Sequence, residues 1–196
     1  MSLWGNSDAD ESKPKNLTTA EKKEVYATAS GWVREAGSAL SGNNNTSATP
    51  ELLVAISALS TNLGAADVTE VEWITTTADK SAGFTLSVRV RYNEPVTVTG
   101  SPTIAVTNGN QGTGSGRGPH TLVYASGTGS NELVFSLAIA AANAATNADD
   151  VLTVAAQNVL KPGGATIKDA SGTASDSAVA ISGAQGTACG SITVVA

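Results

Sequence analysis

The strongest constraint on the fold of this chain is an alternation of apolar and polar side chains at residues 84–92. The even positions hold Phe, Leu, Val, Val and Tyr, and the odd positions hold Thr, Ser, Arg89 and Arg91. Successive side chains of a β-strand point to opposite faces, so this pattern predicts a strand with one face in a core. Its other face, which carries both arginines, is predicted to point outward.

Shorter β-rich segments occur along the rest of the chain, and Gly, Pro, Asn or Asp separates most of them. Short strands punctuated by turn residues are typical of a β-sandwich. The Ala-rich segment 138–148 predicts instead a short helical turn between two strands. The other predicted strands are 52–58, 70–77, 96–98, 103–107, 121–125, 133–140, 151–155, 166–168, 178–182 and 192–195.

The composition determines what can fill the core of such a sandwich. Hydrophobic residues make up 41% of the 196 residues, but the chain has only two Phe, three Trp and three Tyr. The core is therefore expected to consist of Val, Leu, Ile and Ala, with Trp32 and Trp73 as its large members. The single cysteine, Cys189, excludes an intrachain disulfide.

The N-terminal region differs in character from the rest. Residues 1–36 hold five Lys or Arg and six Asp or Glu, a higher charge density than in the remaining chain. A short helix is predicted within residues 18–29, because Thr18 and Glu21 have the spacing of a capping box and Leu17 precedes them as a hydrophobic staple. The polar segment 41–50 is interpreted as a loop or linker.

These features predict an all-β, immunoglobulin-like β-sandwich with an extended N-terminal arm and a short helix. We divide the chain into residues 1–50, an N-terminal arm or attachment region containing the helix, and residues 51–196, the sandwich.

Charge and hydropathy argue against several classes of partner. The net charge is −6 and no cluster of Lys or Arg is present, which argues against nucleic-acid binding. No apolar run reaches the length of a membrane span, and residues 1–10 lack the pattern of a signal peptide. We therefore expect no membrane partner and synthesis in a cytoplasm.

Catalysis is not predicted. His120 is the only histidine, it follows Pro119 at a predicted strand start, and no nucleophile motif accompanies it. A carbohydrate-binding or hydrolytic role has the least support, because no carboxylate pair with flanking aromatic residues is evident in the sequence.

Calcium is the one cofactor that stays open, and otherwise none is predicted. Carboxylate and amide oxygens in loops can bind Ca²⁺, but none of those in this chain has the spacing of a known calcium loop. Solvated turn residues are the favoured interpretation of these side chains. They are Asn147, Asp149, Asp150, Asp169 and Asp176.

Three segments carry a family resemblance, in this order: TLSVRVRYNEPVTVTGSPTIAV at 85–106, ASGTGSNELVFSLAIAAANAA at 125–145 and LKPGGATIKDASGTA at 160–174. With them, residues 83–182 resemble the bacterial Ig-like repeats found in tandem in very large surface adhesins. The resemblance implies an immunoglobulin-like sandwich that serves for display or adhesion.

The front of the chain carries a second resemblance, in SLWGNSDADESKPKNLT, ATASGWVREAGS and PELLVAISALS. These segments are similar to structural proteins of T4-like phages that infect marine cyanobacteria. This resemblance implies a virion protein made in the host cytoplasm, and capsid decoration is the favoured place. A neck, tail or fibre component and an exported bacterial surface adhesion module are the alternatives.

Leu3 and Trp4 are the candidate partner-binding residues, because a large aromatic side chain in a polar leader has nothing local to pack against. The alternative is that Trp4 folds back on its own sandwich. The expected partners are the major capsid protein or other virion proteins, with the host cell surface and further copies of this chain in the particle as additional candidates.

Overall fold

The computed structural model describes residues 13–109, 119–170, 177 and 179–196. The candidate residues Leu3, Trp4 and Asp176 lie outside these ranges. Within them the chain is mainly β-structure with short helices, and the predicted all-β, sandwich-like fold with a short helix is confirmed.

The N-terminal residues form a small sheet of their own. Helix α1 (Thr19–Lys23) leads into strands β1 (Val25–Thr28), β2 (Gly31–Arg34) and β3 (Glu51–Ala55), and helix α2 (Leu59–Leu63) follows. The three strands are antiparallel in the order β1-β2-β3. We call them the N-terminal sheet. This sheet extends past residue 50 to the end of β3, and the division of the chain into an arm and a sandwich stays a prediction.

A separate small hydrophobic cluster lies under the N-terminal sheet. Its buried members come from β1, β2 and α2, and Trp32 is the largest, with 1% of its surface exposed. The other buried members are Val25, Ala27, Leu59 and Leu63.

The other strands form a nine-stranded sheet and a two-stranded ribbon. In the nine-stranded sheet, which we call the main sheet, the order is β12-β6-β9-β8-β7-β10-β14-β5, with β4 also paired to β6. Strands β11 and β13 form the ribbon. The elements are β4 (Val68–Trp73), β5 (Ala78–Asp79), β6 (Phe84–Thr99), β7 (Thr103–Gly109), β8 (His120–Ser126), β9 (Ser130–Ile139), β10 (Val151–Thr153), β11 (Gln157–Asn158), β12 (Thr166–Asp169), β13 (Ala180–Ile181), α3 (Gly183–Cys189) and β14 (Ser191–Val195).

Strand β6 organises the main sheet. Its first half pairs with β4 and β9, and its last four residues pair with β12. The predicted buried face is confirmed, because Leu86, Val88 and Val90 are 0% exposed and pack in the main core. The predicted outward face is wrong at Arg91, whose side chain is only 6% exposed because the N-terminal elements cover it. The sheet curls around that core, which Phe135 of β9 also enters.

Several local predictions need correction. The helix predicted within 18–29 ends at Lys23, and the apolar residues that follow it form β1, because their buried side chains complete the small cluster. Segment 138–148 contains the end of β9 and then turns, without a helix. Strands predicted at 84–92 and 96–98 are one continuous strand that passes through Pro95. Helices α2 and α3 were not predicted.

The predicted capping box is confirmed. The Thr18 hydroxyl accepts a hydrogen bond from the Glu21 amide, and the Glu21 carboxylate accepts one from the Thr18 amide at 2.8 Å. Leu17 packs against the small cluster. Trp32 is a core residue as predicted, and Trp73 is partly buried against the main core.

Candidate functional site at the junction of the two sheets

The only histidine of the chain is buried and hydrogen-bonded. His120 is 4% exposed, and its Nε2 lies 3.0 Å from the Thr146 hydroxyl. Burial lowers the pKa of the imidazole, and the nearby Asp150 carboxylate partly opposes that shift. The imidazole is therefore mainly neutral at pH 7.

Two of the calcium candidates are buried. Asp150 is 0% exposed and Asp169 is 4% exposed. The Asp150 carboxylate accepts a hydrogen bond from the Asn147 amide at 2.8 Å and so closes a turn in which Asp149 has a positive φ of 66°. In residues 13–109, 119–170, 177 and 179–196, no three His, Cys, Asp or Glu side chains are grouped to hold a metal ion.

The most concentrated polar site is a cluster around Arg91, which the sequence did not single out as a site. The Arg91 side chain is only 6% exposed. Its guanidinium nitrogens lie 2.7 Å from Glu35 Oε2, 2.9 Å from Glu132 Oε1 and 3.2 Å from Glu72 Oε1. One of these nitrogens also donates to the Lys23 carbonyl at 3.2 Å.

The partners of Arg91 come from different parts of the fold. Arg91 lies on β6, Glu72 on the adjacent β4 and Glu132 on the adjacent β9. Glu35 directly follows β2, and Lys23 ends α1. One buried guanidinium therefore connects the main sheet to the N-terminal sheet.

Arg89 contributes a second positive charge at the edge of the cluster. Its side chain is 31% exposed, and it pairs with Glu72 at 2.9 Å and with Glu132 at 3.5 Å. The cluster defined by Arg89, Arg91, Glu35, Glu72 and Glu132 thus holds two guanidinium groups and three carboxyl groups. If all were ionised, it would carry one excess negative charge.

One carboxyl group of the cluster has a raised proton affinity. Burial raises the pKa of Glu35, the neighbouring Glu132 carboxylate also raises it, and Arg91 lowers it; the net result is a pKa of about 7. Burial also raises the pKa of Tyr26, and the Glu35 and Glu132 carboxylates contribute to that shift. Glu35 is therefore placed to bind or release a proton near neutral pH.

A cleft of about 540 Å³ lies beside these side chains. Tyr26 and Pro50 line one part of it, and Arg89 and the two carboxyl residues Glu35 and Glu132 line another. The structure therefore brings Glu132 next to Glu35 and Tyr26, which lie about 100 positions earlier in the sequence. Because arginine side chains hold both carboxyl groups, the chemistry that this arrangement supports is ion pairing and proton binding between two layers.

Part of this site has a local signal in the sequence. Glu70 and Glu72 on β4 are cross-strand partners of Arg91 and Arg89 on β6. Opposite charges at alternate positions of two neighbouring strands favour such pairing. No comparable local signal points to Glu35, which follows a different strand in a different sheet.

Comparison with known protein families, with curated proteins and with solved structures finds no match to this chain. None of the helices in the described part of the chain has the length and apolar character needed to cross a membrane.

Proposed function

We propose that this protein is a non-enzymatic structural component of a bacteriophage particle, most specifically a capsid decoration protein. In this proposal the main sheet forms the displayed domain, and residues 1–12 with Leu3 and Trp4 attach it to the major capsid protein or another virion protein. The resemblance of the front of the chain to structural proteins of T4-like cyanophages supports this assignment.

The observation in the structure that supports the attachment part of the proposal is that the chain is held against the rest of the fold at Lys13. Lys13, the first described residue, is 3% exposed, and its ammonium group donates to the Lys22 carbonyl at 2.7 Å. Lys22 belongs to α1, and the next residue, Lys23, contacts both Arg91 and Glu70 of the main sheet. Residues 1–12 are therefore connected to the displayed domain through Lys13, α1 and Lys23.

The same arrangement suits a neck, tail or fibre component, or an exported surface module whose leader binds another protein. These are the competing assignments. The adhesin-like resemblance of residues 83–182 favours the exported module, and the front of the chain favours the particle. Finding the full-length protein in purified particles or on the cell surface therefore distinguishes the particle component from the exported module.

The test is mass spectrometry of purified particles and of the host cell surface, using the full chain expressed during infection. We expect the protein in purified particles. Deleting residues 1–12 should abolish its incorporation while leaving the fold intact, since it retains Lys13 and every described strand. Deleting residues 1–36 is a poorer test, because it removes α1, β1 and β2 together.

A matched pair of substitutions sharpens this experiment. Trp4→Ser should reduce incorporation, whereas Leu160→Ser, which alters a side chain 61% exposed on the main domain, should not. A lower melting temperature for Trp4→Ser would indicate instead that Trp4 packs on its own domain. Absence of the full-length protein from particles would refute the proposal, and detection at the cell surface would support the exported module.

A further inference from the structure

The two hydrophobic clusters of this protein are joined by a polar layer. The main core and the small cluster under the N-terminal sheet share no buried member. Strand β1 packs against β6, and around that contact lie the Arg91 cluster and an ion pair between Lys23 and Glu70. Charged side chains therefore lie at the contact between the two sheets.

Glu35 is the member of the Arg91 cluster that comes from the N-terminal region, directly after β2. The groups that face it are Arg91 from β6, Glu132 from β9 and Tyr26 from β1. Glu72 from β4 shares Arg91 with it, and Arg89 lines the same cleft. Its own amide donates to the Glu24 carbonyl at 2.9 Å.

Other nearby charges are already engaged elsewhere. Arg34, the residue before Glu35, pairs with Glu21 at 3.3 Å and with Glu51 at 3.8 Å. The Glu24 carboxylate accepts a hydrogen bond from Ser38. These contacts leave the excess carboxyl group of the Arg91 cluster without a cation of its own.

We propose that the junction is a proton-dependent clamp, which holds the N-terminal sheet most tightly against the main sheet when the Glu35–Glu132 pair binds a proton. Loss of that proton leaves three carboxylates around two guanidinium groups and loosens the N-terminal sheet. This inference does not depend on the proposed virion role.

The direction of the effect follows from linkage. Glu35 has an ordinary pKa of 4.5 when exposed and a pKa of about 7 in the closed junction. The closed state therefore binds more protons than the open state between these values, so its stabilisation is complete below pH 4.5 and is lost as pH rises through about 7. Between pH 6 and pH 8 these two pKa values correspond to an increase of about tenfold in the equilibrium constant for opening.

Hydrogen exchange of the full-length protein at pH 6, 7 and 8 tests the clamp. After correction for the intrinsic exchange rates, protection of the β1 and β2 amides should fall by about tenfold from pH 6 to pH 8. Amides of β6 and β9 that bond within the main sheet should lose much less protection, because their core lies on the other side of the junction.

Two substitutions separate the clamp from a general effect of pH. Glu35→Gln should make protection of β1 and β2 independent of pH in this range, because the amide cannot ionise. Glu51→Gln, which also removes a carboxylate of the N-terminal sheet but one that is 61% exposed, should keep the wild-type dependence. Three outcomes would overturn the proposal. Protection of β1 and β2 could depend on pH equally in Glu35→Gln and in wild type, it could be independent of pH in wild type, or protection could fall equally in both sheets.

Discussion

Replacing Arg91 by methionine should lower the free energy of unfolding by about 3–5 kcal/mol at pH 7, the range found when one partner of a buried ion pair is removed. Methionine keeps the length and most of the apolar stem but removes the charge. The Arg91 side chain is 6% exposed, and its three carboxylate partners lie within 3.2 Å. Removing it leaves those carboxyl groups with Arg89 as the only guanidinium in the cluster.

Arg89→Met is the matched control, since the two arginines share Glu72 and Glu132. The Arg89 side chain is 31% exposed, and after its removal both of its partners still pair with Arg91. Ion pairs with that degree of exposure contribute about 0–1 kcal/mol. The loss of unfolding free energy is therefore predicted to be several-fold larger for Arg91→Met than for Arg89→Met.

Urea unfolding followed by circular dichroism would measure both free energies, and Trp32 fluorescence would report the N-terminal sheet separately once Trp4 and Trp73 are replaced by Phe. The penalty of Arg91→Met should be smaller at pH 5 than at pH 8, because Glu35 is protonated at the lower pH. Equal penalties for Arg91→Met and Arg89→Met would refute the view that this buried guanidinium joins the sheets.

Three further substitutions test other parts of the fold. Thr18→Ala should cost about 1 kcal/mol in urea unfolding, because it removes the cap of α1; no loss would mean that the capping box does not contribute. Phe135→Ala should cost about 3–5 kcal/mol, since the ring is fully buried and meets Tyr124 edge-on at 6.2 Å; a cost under 1 kcal/mol would contradict the packing. His120→Gln should reduce the loss of stability on acidification from pH 7 to pH 5, because the lowered pKa of His120 stabilises the fold above its ordinary pKa of 6.5 and that stabilisation is lost as pH falls. If His120→Gln loses as much stability as wild type between pH 7 and pH 5, His120 does not contribute to that loss.

The main sheet could be predicted from sequence because its strongest signals are local. Alternation at 84–92 gives both the strand and its buried face, and turn residues separate most of the later strands. The strands predicted at 84–92 and 96–98 are joined through Pro95, and the strand changes partners in that region, from β4 and β9 to β12. Such a change of partner depends on residues about 70 positions apart, which a local pattern does not contain.

The N-terminal sheet was harder to predict. The capping box correctly gave the start of α1, but Val25 and Tyr26, which lie within the range 18–29 predicted to hold the helix, form β1. Four residues are too few to show whether a pattern has the period of a helix or of a strand. Tertiary packing against Trp32 and α2 decides in favour of the strand.

Arg91 shows most clearly what local reasoning leaves out. Alternation correctly places its side chain on the face of β6 opposite the main core. It was therefore expected to face outward, yet the side chain is 6% exposed because α1 and the residue after β2 cover it. A period of two distinguishes the faces of a strand, but it does not show whether a second layer covers the polar face.

The polar junction also explains how such a small sheet can remain ordered. The cluster beneath it has five buried members, two of which are Ala27 and Val25, and a three-stranded sheet with so small a core is marginal by itself. Part of its order must therefore come from contact with the main sheet. Hydrophobic contact would tolerate sliding, whereas Arg91, which Glu72 and Glu132 contact within the main sheet, must also meet Glu35 and the Lys23 carbonyl. Since Glu35 and Lys23 both come from the N-terminal elements, a shift of the N-terminal sheet along the main sheet would break these two contacts.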